Sequence, residues 1–385
     1  VICRWIALAA SSDRYRRDFA MKAIFTTIFL ALSAALLLLP LGEHLAHAQS
    51  PAGPAGGGQS TPQQQTPTQP QQQQKPPEAG ASINVEVPVV TLDVIASTQH
   101  GDILTGLKRE NFRVIDDGAP QTVTGFGATD APITIAMVME FSSRGYFDWF
   151  AYQAKYWADA FFPNLKQKDW VALVTFDMKS RIEVDFTQNK DEVRQALYHM
   201  YFPGFSESNV FDAVLTTIDQ MKDIKGKKSM LLLATGVDTF SKHTLDETMK
   251  QLRQSDVTIF AVGLDKPYIN FIESHGNQGS HMNYLQGENQ LKTFASLTGG
   301  YAWFPQFDGE IPDIFRQVVA FLRNQYSLSY TPTTGANDGK FHKVKIELVQ
   351  PDGSPLIVND QKGKKQKVVV YAREGYTAIK GGVGD

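Results

Sequence analysis

Residues 133–145 read ITIAMVMEFSSRG. A run dominated by apolar side chains, residues 133–139, gives way at once to an acid, two hydroxyls and a base at Glu140, Ser142, Ser143 and Arg144. A short apolar run that ends in small polar residues, ahead of a helical pattern, reads as a strand buried on both faces. In an open α/β sheet, ligands bind beyond the carboxyl ends of such strands. The stretch from Glu140 to Arg144 occupies that end, so a site is expected there.

Downstream, strands and helices alternate. Residues 146–162 read as an aromatic-rich helix, 170–176 (WVALVTF) as a second buried strand and 181–186 as an antiparallel edge strand. Further helices are expected over 190–200, 209–221, 244–254, 290–297 and 311–326, and further strands over 228–234, 258–263 and 301–304. Val193, Leu197 and Met200 share one helical face, as do Val210, Ala213, Val214, Thr217 and Met221. This alternation predicts an α/β, doubly wound, mostly parallel sheet with helices on both faces.

The flanks have a different texture. Residues 83–96 (INVEVPVVTLDVIA) are rich in β-branched side chains and read as one strand, or two broken near Pro88. A turn at 99–102, a strand within 107–115, a tight Asp116-Asp117-Gly118 turn and a strand at 121–126 follow. Asp116 and Asp117 could ligate calcium or form a solvated hairpin tip. After the α/β pattern, strands are expected at 325–330, 341–350 and 367–373, with a solvated tip at 362–367. Each flank is too short for a complete sandwich. The two are expected to pair into one β-sandwich with the α/β domain inserted between its halves; separate small β units at each end are the competing arrangement.

The start of the chain reads differently again. Met21-Lys22, an apolar stretch to Leu41 and Ala46-His47-Ala48 resemble a secretory signal with a cleavage site after Ala48, preceded by an upstream extension. An uncleaved membrane anchor is the rival, since the stretch approaches the ~20 residues that span a bilayer. Either reading places the rest of the chain in a secreted, periplasmic or cell-envelope location. Residues 49–81, rich in Pro and Gln, cannot bury enough apolar surface to offset their ordering entropy, and read as a flexible tether or plain spacer. The expected organisation is therefore 1–48 extension and signal, 49–81 tether, 82–130 first sandwich half, 131–324 α/β domain and 325–378 second sandwich half.

Composition narrows the function. A net charge of −3, from 37 basic and 40 acidic residues, offers no electrostatic case for nucleic acid. The single cysteine, Cys3, excludes a disulfide framework and a cysteine-bound metal. There is no G-x-S-x-G elbow, H-E-x-x-H, P-loop or glycine-rich dinucleotide turn.

Four stretches, IAMVMEFSSRG, SESNVFDAV, SMLLLATGVDT and TIFAVGLD, together resemble a von Willebrand factor type A domain. With the flanks NFRVIDDGAPQTVTGF and QYSLSYTPTTGANDGKFHKVKIEL, the chain resembles the VWFA-related acidobacterial domain family of secreted proteins. The resemblance implies a metal-ion-dependent adhesion site. Its pattern is D-x-S-x-S after the first strand, a Thr before a later helix and an Asp after the fourth main strand, and it holds magnesium that a partner's carboxylate completes. Carried over residue by residue, the first Asp becomes Glu140, the first Ser is Ser142 and the second falls on Arg144. The Thr falls on Ser208 and the last Asp on Thr235, with Asp238 three residues on. Magnesium needs near-ideal octahedral oxygen geometry, and Arg144 and Thr235 remove charge or oppose it. The implied site is thus a degenerate one, weak or empty of Mg²⁺, with Arg144 substituting an internal ion pair with Glu140. Ser142 and Ser143 could instead cap the helix near Tyr146, and Ser208 the helix from Asn209.

Other candidates are His275 and His281 in a long polar insert at 268–287, which could ligate zinc or lie on a surface loop. Tyr146, Phe147, Trp149, Phe150, Tyr152, Tyr156 and Trp157 could leave an exposed aromatic patch beside the site. The expected function is a non-catalytic secreted binding or adhesion module for a protein or other macromolecular ligand, with Ser143 and Arg144 touching it. A secreted hydrolase and a purely structural envelope component are the alternatives.

Overall fold

The computed structural model describes residues 88–128, 132–142, 160–200, 205–263, 278–333, 335, 337–360 and 362–379. They belong to the second of two compact units, 81–385. The expected signal and tether, most of the aromatic helix, Ser143, Arg144 and His275 lie outside the described residues, as does the His281 side chain.

The strand read first from the sequence is the centre of the molecule. We number elements in chain order: β1 (Val90–Thr98), β2 (Phe112–Asp116), β3 (Ala119–Gln121), β4 (Gly125–Ala128) and β5 (Ile133–Glu140). Next come β6 (Trp170–Phe176), β7 (Ser180–Thr187), α1 (Lys190–Tyr198), α2 (Val210–Met221) and β8 (Lys227–Leu233). They are followed by α3 (Leu245–Gln254), β9 (Thr258–Val262), α4 (Gln278–Thr298), β10 (Ala302–Trp303) and α5 (Ile311–Arg323). The chain closes with β11 (Tyr326–Tyr330), β12 (Phe341–Leu348), β13 (Val358–Asn359), β14 (Lys365–Gln366), β15 (Val368–Ala372) and β16 (Gly375–Thr377).

The central sheet has the order β10-β9-β8-β5-β6-β7. All its pairings are parallel except β6–β7, whose register slips between Val171 and Val174. All eight residues of β5 are buried. Successive side chains point to opposite faces, and both faces are covered. Ile133, Ile135, Met137 and Met139 pack in one cluster with Val193 and Leu197 of α1 and Ile314, Phe315 and Val318 of α5. Ala136 and Val138 pack in the other with Val214 of α2, Leu252 of α3 and Phe294 of α4. A strand buried on both sides needs no polar alternation, which is why its sequence reads as a block.

The helices show their causes. Helix α3 begins with a capping box, Thr244 N–H donating to Glu247 Oε2 at 2.8 Å and Glu247 N–H to Thr244 Oγ1 at 3.3 Å. Helix α5 carries an acid in its first turn and Arg323 in its last, matching the helix dipole. Helix α4 corrects the reading of 268–287 as a long polar loop, because it starts at Gln278. Its first half hides from pattern recognition: Met282 and Leu285 are exposed, and Gly287 lies within it.

The flanking strands form two four-stranded antiparallel sheets, β15-β1-β11-β4 and β16-β12-β2-β3. Leu92, Val94, Val114, Leu328, Val344 and Ile346 from both share one buried cluster. The topology has a simple cause. β4 runs straight into the α/β segment and β11 leaves it, and these two strands pair antiparallel with Tyr326 opposite Ala128. Exit and return therefore lie side by side, so a large α/β insert closes without stretching the sheet.

Among the described residues, contacts of two kinds tie the layers together. Tyr371 of β15 packs against Tyr301 at 5.3 Å and Phe321 at 5.6 Å between ring centroids. Asp169, fully buried, sits below β5: its Oδ1 accepts Ile133 N–H at 3.1 Å, its Oδ2 accepts Lys166 N–H at 2.7 Å, and Arg323 pairs with both oxygens. No described helix is long and apolar enough to cross a membrane.

Candidate functional site

The sheet order places β6 on one side of β5 and β8 on the other, so the chain reverses its winding between β5 and β8. At such a switch point the loops splay apart and leave a crevice at the carboxyl ends. Glu140 ends β5, Thr235 follows β8, and Ser208 lies just ahead of α2.

The structure brings Glu140, Ser142, Ser208 and Thr235 together. Glu140 is 3% exposed. Ser142 Oγ donates to its Oε1 at 3.0 Å. Thr235 donates twice to its Oε2, through N–H at 2.7 Å and Oγ1 at 2.8 Å. Ser208 faces the same carboxylate, but its buried Oγ makes no hydrogen bond among the described residues. Burial pushes the Glu140 carboxyl above its ordinary range; the Thr235 and Ser142 donors oppose that shift without cancelling it.

Asp238 is placed elsewhere. Its Oδ1 accepts Phe211 N–H at 3.4 Å and the Ser241 hydroxyl at 2.5 Å, and its Oδ2 accepts Ser241 N–H at 3.2 Å. It thus caps the N-terminus of α2 and closes the rim loop upon itself. Burial raises its carboxyl too. Ser208 does not cap α2: Asn209 stands at that position, and its side chain makes no capping bond.

Several residues that the sequence did not single out hold the rim. Asp212 Oδ1 accepts N–H bonds from Lys242 at 3.1 Å and His243 at 3.2 Å, and faces His243 Nδ1 at 2.8 Å. Those donors hold its carboxyl below the usual range against the opposing effect of burial. The Ser208 carbonyl accepts from Thr239 N–H at 2.8 Å and Phe240 N–H at 3.0 Å, and Thr239 Oγ1 accepts from Ser208 N–H at 2.9 Å. These partners are about thirty residues apart in sequence, and no local pattern announces them. Phe205 and Phe240 remain half-exposed around this rim.

One contact sets how closely the rim loop lies on α4. A Cβ on Gly287 would sit 2.5 Å from the Thr235 carbonyl oxygen, and one on Gly236, at φ +76°, 2.3 Å from the Gly287 carbonyl oxygen. The two backbones touch with no side chain between them. Gly287→Ala is expected to push α4 and the rim loop apart, at a cost of roughly 1–3 kcal/mol, as over-packing does elsewhere. Faster hydrogen exchange at the Thr235 amide and a lower denaturation midpoint are the readouts.

The donor set is a poor cage for a hard divalent ion. Glu140 supplies one carboxylate, and both its oxygens already accept protein hydrogen bonds. Ser142, Ser208 and Thr235 supply hydroxyls, and the nearby acid, Asp238, points to α2. A single engaged, buried carboxylate with neutral hydroxyls does not match the charge and octahedral cage that magnesium requires.

A family model described as von Willebrand factor type A domain matches residues 142–297. Among solved structures, proximal thread matrix protein 1 from the mussel byssus is 15% identical, with 54% of this chain and 49% of that chain covered and a TM-score of 0.38. The match thus spans about half the length of the mussel protein. The von Willebrand factor domain of the type V pili tip protein Mfa5 from Porphyromonas gingivalis is 10% identical over 51% of this chain and 96% of that chain, with a TM-score of 0.38. A von Willebrand factor type A protein from Catenulispora acidiphila is 11% identical over 76% of this chain and 75% of that chain, also at a TM-score of 0.38. No curated protein matches the chain.

Proposed function

We propose, from the match of residues 142–297 to the von Willebrand factor type A domain model, that the protein is a non-catalytic binding module. It holds a protein ligand on the rim at the carboxyl ends of β5 and β8, without a magnesium ion. The observation that carries this reading is the state of Glu140, whose two carboxylate oxygens accept from Ser142 and Thr235. Three protein donors take the place of a cation, and the rim is preorganised without one. The half-exposed Phe205 and Phe240 offer apolar anchors of the kind that dominate protein interfaces. Ser143 and Arg144, next along the chain from Ser142, are the proposed polar contacts. A secreted or envelope location suits a docking role.

Calorimetric titration of the full chain with Mg²⁺ and with Mn²⁺ tests the metal-free rim. No binding in the micromolar range is expected. Micromolar binding that Glu140→Gln abolishes would overturn the reading. A photo-crosslinking residue at position 240 tests the docking face: protein adducts that persist in EDTA are expected, whereas adducts lost on chelation point to metal-dependent adhesion.

A further inference from the structure

The flanking sheets carry a second cluster, built from residues that take no part in the rim. Asp116 ends β2, Asp117 follows it in the β2–β3 turn, and His342 is the second residue of β12. Asp117 has a φ of +46° and Gly118 of +85°, the left-handed pair that a tight two-residue hairpin demands. Asp116 is not the solvated tip that its sequence context suggests. It is 5% exposed, and its Oδ2 accepts hydroxyl bonds from Tyr330 at 2.9 Å and Tyr376 at 3.0 Å. Its Oδ1 is buried with no donor among the described residues.

His342 is 6% exposed, and its ring stacks on Tyr376 at 5.2 Å. Its Nδ1 lies 3.0 Å from Asp117 Oδ2, and its Nε2 lies 3.0 Å from Asp338 Oδ1. A carboxylate oxygen from each of Asp116 and Asp117 and a ring nitrogen of His342 all lie within 4.8 Å of one another. The remaining oxygen of Asp117 accepts Lys343 N–H at 2.8 Å, which fixes its orientation. Gly335 closes the loop over the ring: a Cβ there would sit 2.4 Å from His342 Cε1.

We propose that Asp116, Asp117 and His342 Nδ1 form a binding site for a divalent transition ion of the zinc class. Three features carry it. The first is the Asp116 Oδ1 itself, a nearly inaccessible carboxylate oxygen left without a donor in a polar cluster; groups so placed are costly unless something coordinates them. The second is the outer arrangement. A metal-bound histidine characteristically donates its other ring N–H to a carboxylate, and Asp338 stands at Nε2 in that position. Tyr330 and Tyr376 hold Asp116 from behind in the same way. The third is the donor chemistry. An imidazole with carboxylates suits zinc, whereas magnesium and calcium take oxygen ligands. In the ion-free state, Asp117 and Asp338 hold the ring by hydrogen bonds; on binding, the Nδ1 proton leaves to solvent, the ion takes its place between Nδ1 and Asp117, and the contact to Asp338 is kept.

The test uses the full chain without a polyhistidine tag. Zn²⁺ alone is titrated by calorimetry, and Co²⁺ by visible absorption. One equivalent of Zn²⁺ is expected, with a cobalt spectrum of nitrogen and oxygen coordination and a rise in thermal midpoint on zinc addition. Asp117→Asn is the mild variant, because that side chain is half-exposed and Asn tolerates the left-handed backbone. It is expected to weaken Zn²⁺ at least tenfold while the apo protein melts as the parent does. His342→Gln is expected to abolish both signals, and Glu140→Gln to change neither. Absence of Zn²⁺ binding overturns the proposal, as does binding that survives His342→Gln and Asp117→Asn unchanged. Binding lost in Glu140→Gln alone overturns it too, and would transfer the ion to the rim.

Discussion

Glu140→Ala is expected to unfold at a much lower denaturant concentration than the parent, and Glu140→Gln to stay close to it. The alanine removes the acceptor of three bonds at once, from Ser142 Oγ, Thr235 N–H and Thr235 Oγ1. Each buried donor left without an acceptor costs about 1–3 kcal/mol. With partial relaxation, the loss is on the order of 3 kcal/mol or more. Glutamine keeps an acceptor for Thr235 and turns an N–H₂ toward the hydroxyls, where Ser208 Oγ has no hydrogen bond among the described residues. The two variants therefore separate hydrogen bonding from charge.

Charge has its own signature at this position. Burial raises the Glu140 carboxyl above its unfolded value. Below the unfolded pKa, about 4.3 for a glutamate, both states are protonated and the raised pKa has no effect on stability. As pH rises from there through the folded pKa, the unfolded chain ionises more readily, so Glu140 takes stability away. The stability of Glu140→Gln relative to the parent is thus expected to increase with pH over that window and to be flat below it. Urea denaturation of both proteins between pH 4 and pH 8 checks the slope, and a gap that shrinks with rising pH would contradict it. Subtracting the two curves removes every group that titrates alike in both.

The second large effect lies at the opposite end of β5. Asp169→Ala leaves the Arg323 guanidinium, with its side chain 16% exposed, facing a site that no longer carries a charge. Removing one partner of a buried ion pair typically costs about 3–5 kcal/mol. Ile133 N–H, the first amide of β5, loses its acceptor as well. Asp169→Asn keeps one acceptor oxygen and is expected to lose roughly half as much. Arg323→Met in the Asp169→Ala background is expected to recover part of the loss, because it removes the stranded charge. Unfolding midpoints in urea for the three variants read this directly. If Asp169→Ala matched the parent, α5 would be held to the sheet by its apolar face alone.

Much of this architecture is legible in one chain of letters, for an identifiable reason. Burial on both faces makes β5 and the second half of β8 apolar blocks, and burial on one face gives α2 and α5 their helical stripes. Those patterns are local, so they survive reading without a structure. The start of α4 is not legible, because its first turns are polar, partly exposed and carry a glycine, and nothing local distinguishes them from a loop.

From the letters alone, a layered α/β sheet between β-rich flanks could be read, and the resemblance to a von Willebrand factor type A domain pointed to Glu140, Ser142, Ser208, Thr235 and Asp238 as one rim. Tertiary structure alone decided what each polar atom does. Thr235 reaches Glu140 across 95 positions of chain, and Tyr376 reaches Asp116 across 260. Asp238, adjacent in sequence to the rim, serves α2 instead, while Asp116, written as a turn residue, lies under two tyrosines. The physical reason is the same throughout. Periodicity records which face of an element leaves water, whereas a hydrogen bond depends on a partner's position, and that position exists only after the layers have packed.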